Sequence, residues 1–218
     1  MSFIAYITTI LLGLQPAYGD NETWQERTER MMIVAQAIDD ASSKATCSDK
    51  YDVKDCVPTW PQNKQSLAIL LVTKGYWESK FAKNVHEGKC KPYECDAVKN
   101  VKGQTVSHRA RSPWQIQRTG LVSNEEYTNM KSSSLESTTI SANVAVRHLS
   151  IGMRKCHTIL GAMSIYGGVQ SCSWKGVTPR EAFYRDLIKK SPEELISAEQ
   201  KQKELFKSFI KVSEIKRD

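Results

Sequence analysis

The chain has 218 residues, with 31 Lys and Arg against 24 Asp and Glu, for a net charge of +7 and a pI of about 9.0. A hydrophobic share of 40% and a charged share of 25% are ordinary for a globular protein with a sizeable core, which excludes a disordered or fibrous chain. The basic balance favours a polyanionic partner: nucleic acid, anionic membrane or an acidic envelope polymer. The sequence holds no RNP motif, zinc-finger pattern or arginine-rich tract, so charge alone does not carry a nucleic-acid function and no specific nucleic-acid partner is expected.

Residues 1–19, MSFIAYITTILLGLQPAYG, contain no charge. A short apolar run from Phe3 to Leu14 is followed by Pro16 and the small-residue pattern Ala17-Tyr18-Gly19. This pattern predicts a secretory signal cut near Gly19 or Asp20, although a basic n-region is missing. Two other readings stay open: a weak, uncleaved membrane anchor, the run being short for a span, and a buried N-terminal helix.

The next element is an amphipathic helix over residues 21–45, with Met31, Val34, Ala37 and Ile38 on one face. Residues 46–63 read as a loop, since Pro58 and Pro61 end any helix there. It carries Cys47 and Cys56. Residues 67–81, LAILLVTKGYWESKF, are apolar on nearly every side and predict a buried core helix ending on Glu78. Apolar surroundings and the bare carbonyls of a helix end both disfavour a charged carboxylate, so a raised pKa is expected for Glu78. A carboxyl group in that state suits general acid chemistry near neutral pH. A solvated glutamate at a helix terminus is the plainer alternative.

Residues 84–111 are polar and carry Gly88, Cys90, Pro92, Cys95 and Gly103. They read as a long loop holding a short hairpin, and loops of this length in a compact domain are usually functional or disordered. Residues 111–120, RSPWQIQRTG, set Trp114 and Ile116 alternating against Gln115 and Gln117. A second long helix is expected over 137–156 and a small, tightly packable one over 158–165, broken by Tyr166-Gly167-Gly168. Thr178-Pro179-Arg180-Glu181 and Ser191-Pro192-Glu193-Glu194 each read as a capping box with proline at the first helical position. The last helix, to about residue 212, should dock by a stripe of Leu195, Leu205, Phe206 and Phe209.

Six cysteines after a signal-like start favour disulfides. Pairing by closeness joins Cys47 to Cys56, Cys90 to Cys95 and Cys156 to Cys172. A rival is a zinc site made of His86, Cys90, Cys95 and His108, but the spacings match no zinc motif and oxidised cysteines bind no metal. No metal and no cofactor is expected.

Three segments in order resemble the lytic transglycosylase and goose-type lysozyme superfamily. Glu78-Ser79-Lys80-Phe81 resembles its E-S-x-F, where the glutamate is the catalytic acid/base. Ser112-Pro113-Trp114-Gln115-Ile116-Gln117 is similar to the S-L-W-Q-I-Q segment lining the cleft. Tyr166-Gly167-Gly168 is similar to the Y-N-x-G turn that brings a tyrosine toward the glutamate, and Asn143 resembles an asparagine that often opens the preceding helix. The chain departs from the pattern in having Ser112 or Pro113 at a usual glycine and Gly167 at a usual asparagine.

The resemblance implies a mainly α, α+β lysozyme-like fold: a helical domain with a small irregular or β loop region beside an active-site cleft. The lysozyme-like domain would span residues 62–190. Residues 1–19 would be the signal or anchor, 20–61 an N-terminal helix and cysteine loop, and 191–218 a C-terminal helix packed on the domain.

The implied partner is peptidoglycan, cut at the MurNAc–GlcNAc β-1,4 bond by an exported or phage-derived enzyme. Other anionic wall polymers could also bind, and a monomer is expected. Glu78 would be the catalytic acid. Ser79, Trp114, Gln115, Gln117 and Tyr166 would meet substrate, with Trp114 the best sugar platform among the tryptophans. By themselves Trp60, Trp77, Trp114 and Trp174 all read as core, Trp114 being the best exception. A hydrolase would need a second carboxylate; Asp96 is the best candidate ahead of Glu87 and Glu94, with a plain turn residue as its alternative. A transglycosylase needs only Glu78, because the 6-hydroxyl of the sugar attacks and a 1,6-anhydro end forms.

Overall fold

The computed structural model describes residues 1–17, 22–45, 64–89, 96–101, 104–118 and 120–215; for 45, 96–109 and 208–215 it describes the backbone alone. The chain is mainly helical. α1 (Phe3–Gly13), α2 (Trp24–Ala45) and α3 (Lys64–Ser79) are followed by one turn, α4 (Lys83–His86). A hairpin of β1 (Asp96–Val101) and β2 (Gln104–Arg109) comes next. Then come α5 (Asn124–Asn129), α6 (Leu135–Cys156), α7 (Ile159–Tyr166), α8 (Thr178–Lys189) and α9 (Pro192–Ile215). The strands pair antiparallel, Asp96 opposite Arg109 and Val101 opposite Gln104, as the expected hairpin requires.

One hydrophobic cluster runs from Ile7 through Leu67–Val72, Trp114 and Leu149 to Leu195. α2 packs on α1, α3 and α6; α3 packs on α8, α6 on α7, and α9 lies along α1. α3 is buried from Leu67 to Gly75, as a helix apolar on every side must be.

The N-terminal segment is a helix packed into the core. Ile7, Ile10, Leu11 and Leu12 of α1 are core residues, and Gln65 donates to the Tyr6 hydroxyl at 3.0 Å. No described helix is long and apolar enough to cross a membrane. Behind α1 lies a sealed ionic cluster. Glu22 accepts from Arg27 at 3.3 Å and from Arg30 at 3.0 and 2.6 Å. Arg27 also reaches the Leu14 carbonyl at 3.3 Å, and Arg30 the Phe81 carbonyl at 2.5 Å. The cluster therefore ties the end of α1 to the turn that follows α3.

Helix ends show where sequence signals act. At α9 the Ser191 hydroxyl accepts from the Glu194 amide and the Glu194 carboxylate from the Ser191 amide, the expected capping box. At α8 the box does not form. A 3₁₀ turn, Lys175–Val177, runs straight into the helix, and Thr178 has helical φ −54° and ψ −44°, whereas an N-cap needs an extended backbone. Asn143 lies inside α6 rather than opening it. On α9, Leu195 is buried, but Leu205 is exposed; Phe206 packs on Trp24 at 5.3 Å. The side chain of Phe209 lies outside the described residues.

Candidate active site

The C-terminus of α3 is shaped by its own last residues. The Ser79 hydroxyl lies 3.2 Å from the Gly75 carbonyl and 2.8 Å from the Pro113 carbonyl, and accepts from the Phe81 amide at 3.1 Å. Lys80 and Phe81 then take left-handed φ of 51° and 52°, and the Phe81 ring folds back beneath the helix. A Cβ on Gly75 would lie 2.4 Å from that ring, so the reversal requires glycine there. Ser79 thus ends the helix and also fastens it to the second motif.

That second motif is a turn, not a strand. Arg111 and Ile116 form an isolated bridge, and Ser112 and Gln115 take φ of 67° and 51°. Trp114 points inward, fully buried. Its indole N–H donates to the Leu71 carbonyl at 2.9 Å, and its ring meets Phe81 edge-on at 6.3 Å. Trp114 is thus a core residue, as its plainer reading expects, and its ring offers no face to a sugar. Trp77 and Trp174, expected in the core, are each 40% exposed instead. Trp60 lies outside the described residues.

The third motif closes the group. Tyr166, the last residue of α7, donates its hydroxyl to the Trp114 carbonyl at 2.7 Å and makes no bond to Glu78. Burial, and then the nearby Glu78 charge, push its pKa well above the usual tyrosine value, so it stays a neutral donor. The face of its ring carries the Lys74 ammonium, with Nζ 4.0 Å from the centroid, a cation–π contact.

Glu78 lies at the centre, its side chain 21% exposed. Apolar surroundings were expected, but two cations meet it: Lys74 Nζ and Arg180 Nη1 both donate to Oε1, at 2.7 and 2.8 Å. Oε2 accepts no hydrogen bond from any described residue. Lys74 itself is fully buried. Burial lowers its pKa to about 8 against the opposing pull of Glu78. The sequence contained the Lys74–Glu78 pair at i, i+4 spacing, yet neither Lys74 nor Arg180 was read as part of the site.

Among the described residues, no other candidate makes a hydrogen bond or ion pair to Glu78. Gln115 is half-buried and its amide donates to the Ser112 carbonyl at 3.3 Å, while Gln117 is exposed. Asp96 opens β1, with its side chain outside the described residues, as is Glu94. Glu87 pairs with Lys89 at 2.9 Å. Cys156 and Cys172 form the expected disulfide; Cys47, Cys56, Cys90 and Cys95 lie outside the described residues. His86 is buried with Nε2 2.8 Å from the Thr138 hydroxyl. Thr138 gives its own proton to the Ser134 carbonyl, so Nε2 of His86 carries the hydrogen. Burial, then Arg30, lower the His86 pKa to about 3. The chain matches no protein-family model, no curated protein and no solved structure.

Proposed function

We propose that the chain is a peptidoglycan-cleaving enzyme on a lysozyme-like fold. It acts on the MurNAc–GlcNAc β-1,4 bond as a lytic transglycosylase, with Glu78 as its single acid/base. The observation that carries this reading is convergence. Three separated segments are joined by direct bonds, Ser79 to Pro113 and Tyr166 to Trp114, around a carboxylate with one oxygen that accepts no hydrogen bond from any described residue. In this mechanism Glu78 first takes a proton from the Lys74 ammonium, leaving that amine neutral, and the protonated carboxyl then gives it to the leaving glycosidic oxygen. The sugar's 6-hydroxyl then attacks C1 and returns its proton to Glu78, leaving a 1,6-anhydro end and consuming no water. Lys74, hydrogen-bonded to Oε1 with its pKa lowered to about 8, is the nearest proton store. The Cys156–Cys172 disulfide fits an oxidising compartment, in keeping with an enzyme that is exported or phage-derived and works at the wall.

A second reading is a wall-binding protein without catalysis, favoured by the ion pairing of Glu78. Mass spectrometry of muropeptides after digestion separates the two. Anhydro ends that disappear with Glu78→Gln and persist with Asp96→Asn are the expected result. Reducing ends lost with Asp96→Asn would make the enzyme a muramidase, and no released muropeptide would leave binding alone.

A further inference from the structure

Two tryptophans beside Glu78 are not claimed by the core. Trp77 precedes Glu78 on α3, and Trp174 lies in the loop before α8. Both indoles are substantially exposed, although burying an aromatic ring of this size is strongly favourable. Trp174 is nevertheless held in place. The disulfide at Cys172 anchors its loop to the end of α6, and the indole lies so close on Gly176 that a Cβ there would fall 2.6 Å from it. The Arg180 guanidinium joins the two rings, with Cζ 5.9 Å from the Trp77 centroid and 6.0 Å from that of Trp174. Arginine has five N–H donors. Of these, Arg180 uses Nη1 on Glu78, while its Nε is buried without a partner. Exposed indole faces stack on the C–H faces of a sugar ring, and a guanidinium fork binds a carboxylate through paired hydrogen bonds.

We propose that Trp77, Arg180 and Trp174 form a subsite for a sugar ring bearing a free carboxylate, as muramic acid does once its stem peptide is removed, with the indoles taking the ring and Arg180 reading the acid. This rests on the glycan reading of the Glu78 site and adds a specificity-determining residue to it. A neutral amino-sugar ring would meet the same indoles but leave the spare donors of Arg180 unmatched.

The test uses the full chain carrying Glu78→Gln, which prevents turnover, with tryptophan fluorescence and calorimetry as readouts. Two peptide-free β-1,4 tetrasaccharides of equal length are compared, one of alternating MurNAc and GlcNAc and one of GlcNAc alone. The acidic saccharide should bind at least about tenfold tighter, as hydrogen bonds to a charged partner imply. Adding Arg180→Gln should bring the two affinities together by weakening the acidic saccharide at least about tenfold, with the fold of the variant checked by circular dichroism and urea unfolding. Arg180→Lys should restore part of the preference through charge without the fork. Trp174→Ala should weaken both saccharides. Lys201→Gln, an equal charge change on exposed α9, should leave the preference intact, separating a local contact from the pull of the net charge. Equal affinity for both saccharides, a preference that survives Arg180→Gln, one lost equally with Lys201→Gln, or no binding of either overturns the subsite. The binding result is independent of bond cleavage. A preference without any released muropeptide would keep the subsite and sink the lytic reading, and cleavage without a preference would do the reverse.

Discussion

Two glutamates in this chain each sit between two cations, and they are built for opposite purposes. Glu22 is wholly buried, as is Arg27, and Arg30 nearly so. Both arginines also donate to main-chain carbonyls, at Leu14 and Phe81, so the cluster stitches the end of α1 to the turn after Glu78. At Glu78 both cations converge on one oxygen, the other accepts no hydrogen bond from any described residue, and two exposed indoles stand alongside. Chemistry separates the clusters further. An arginine keeps its charge at any physiological pH, whereas a buried lysine can shed its proton. The two cations at Glu22 are therefore fixed in charge, while Lys74 at Glu78 can lose its proton.

Exchanging one carboxylate for an amide at each place should expose the difference. Glu78→Gln removes the proton donor, and lysis should fall roughly 10²–10⁴-fold. Its stability should drop by only about 1–2 kcal/mol, since Lys74 can go neutral and Arg180 can reach water. Glu22→Gln removes a buried carboxylate that accepts from two buried guanidinium groups and should cost roughly 3–5 kcal/mol in urea unfolding. Any activity loss in that variant should track the unfolded fraction. A Glu22→Gln chain with a wild-type urea midpoint, or a folded Glu78→Gln chain with wild-type lysis, would erase the distinction.

The disulfide sharpens the comparison from the open side. Replacing Cys156 and Cys172 together with serine releases a loop closed over a sequence separation of 16, which should lower stability by about 3 kcal/mol. The variant should also lose the ordered environment of Trp174, visible as a red-shifted, more readily quenched tryptophan emission, while the Glu22 side keeps its amide-exchange protection. Unchanged emission would show that the loop holds Trp174 without the bridge.

How much of this the residues announced depends on range. α3 was legible because a helix apolar on every side has only the core to occupy, and Glu78 at its end followed directly. Lys74 was legible by spacing, four residues before Glu78, but a lysine in an apolar run gives no sign of the carboxylate it will meet. Arg180 was not legible at all. It lies 102 residues from Glu78, and its local signal, a capping-box sequence, pointed to a cap that the preceding 3₁₀ turn forbids. The short helix α5 was missed although Ser123 and Glu126 make a complete capping box, because its six residues carry no apolar period. Core and cleft both stay open for Trp114 in the sequence because alternation fits either, whereas a left-handed turn at Ser112 swings the indole under α3. The N-terminal run was ambiguous for a physical reason: apolar surface sufficient for an export signal is equally sufficient to fill a groove beside α2 and α9.

The smallest effect is a slope, and it tests the claim that Lys74 at Glu78 can lose its proton. Burial lowers the Lys74 pKa from its ordinary value to about 8, while in the unfolded chain it returns to about 10.4. Below pH 8 both states carry the proton, and Lys74 adds no pH dependence. Between pH 8 and about 10.4 the unfolded state binds more protons than the folded one, so stability gained from this site rises with pH, by at most about 1.4 kcal/mol per pH unit. Lys74→Met keeps a long apolar stem in the same space and leaves Glu78 paired to Arg180. The wild-type unfolding free energy measured in urea should therefore climb relative to Lys74→Met across that window and run parallel to it between pH 6 and 7.5. Titrations of tyrosine and of the other lysines occur in both chains and cancel in the difference. Parallel curves up to pH 10 would mean that Lys74 holds its proton throughout, and the two cations at Glu78 would then be as fixed in charge as the two arginines at Glu22.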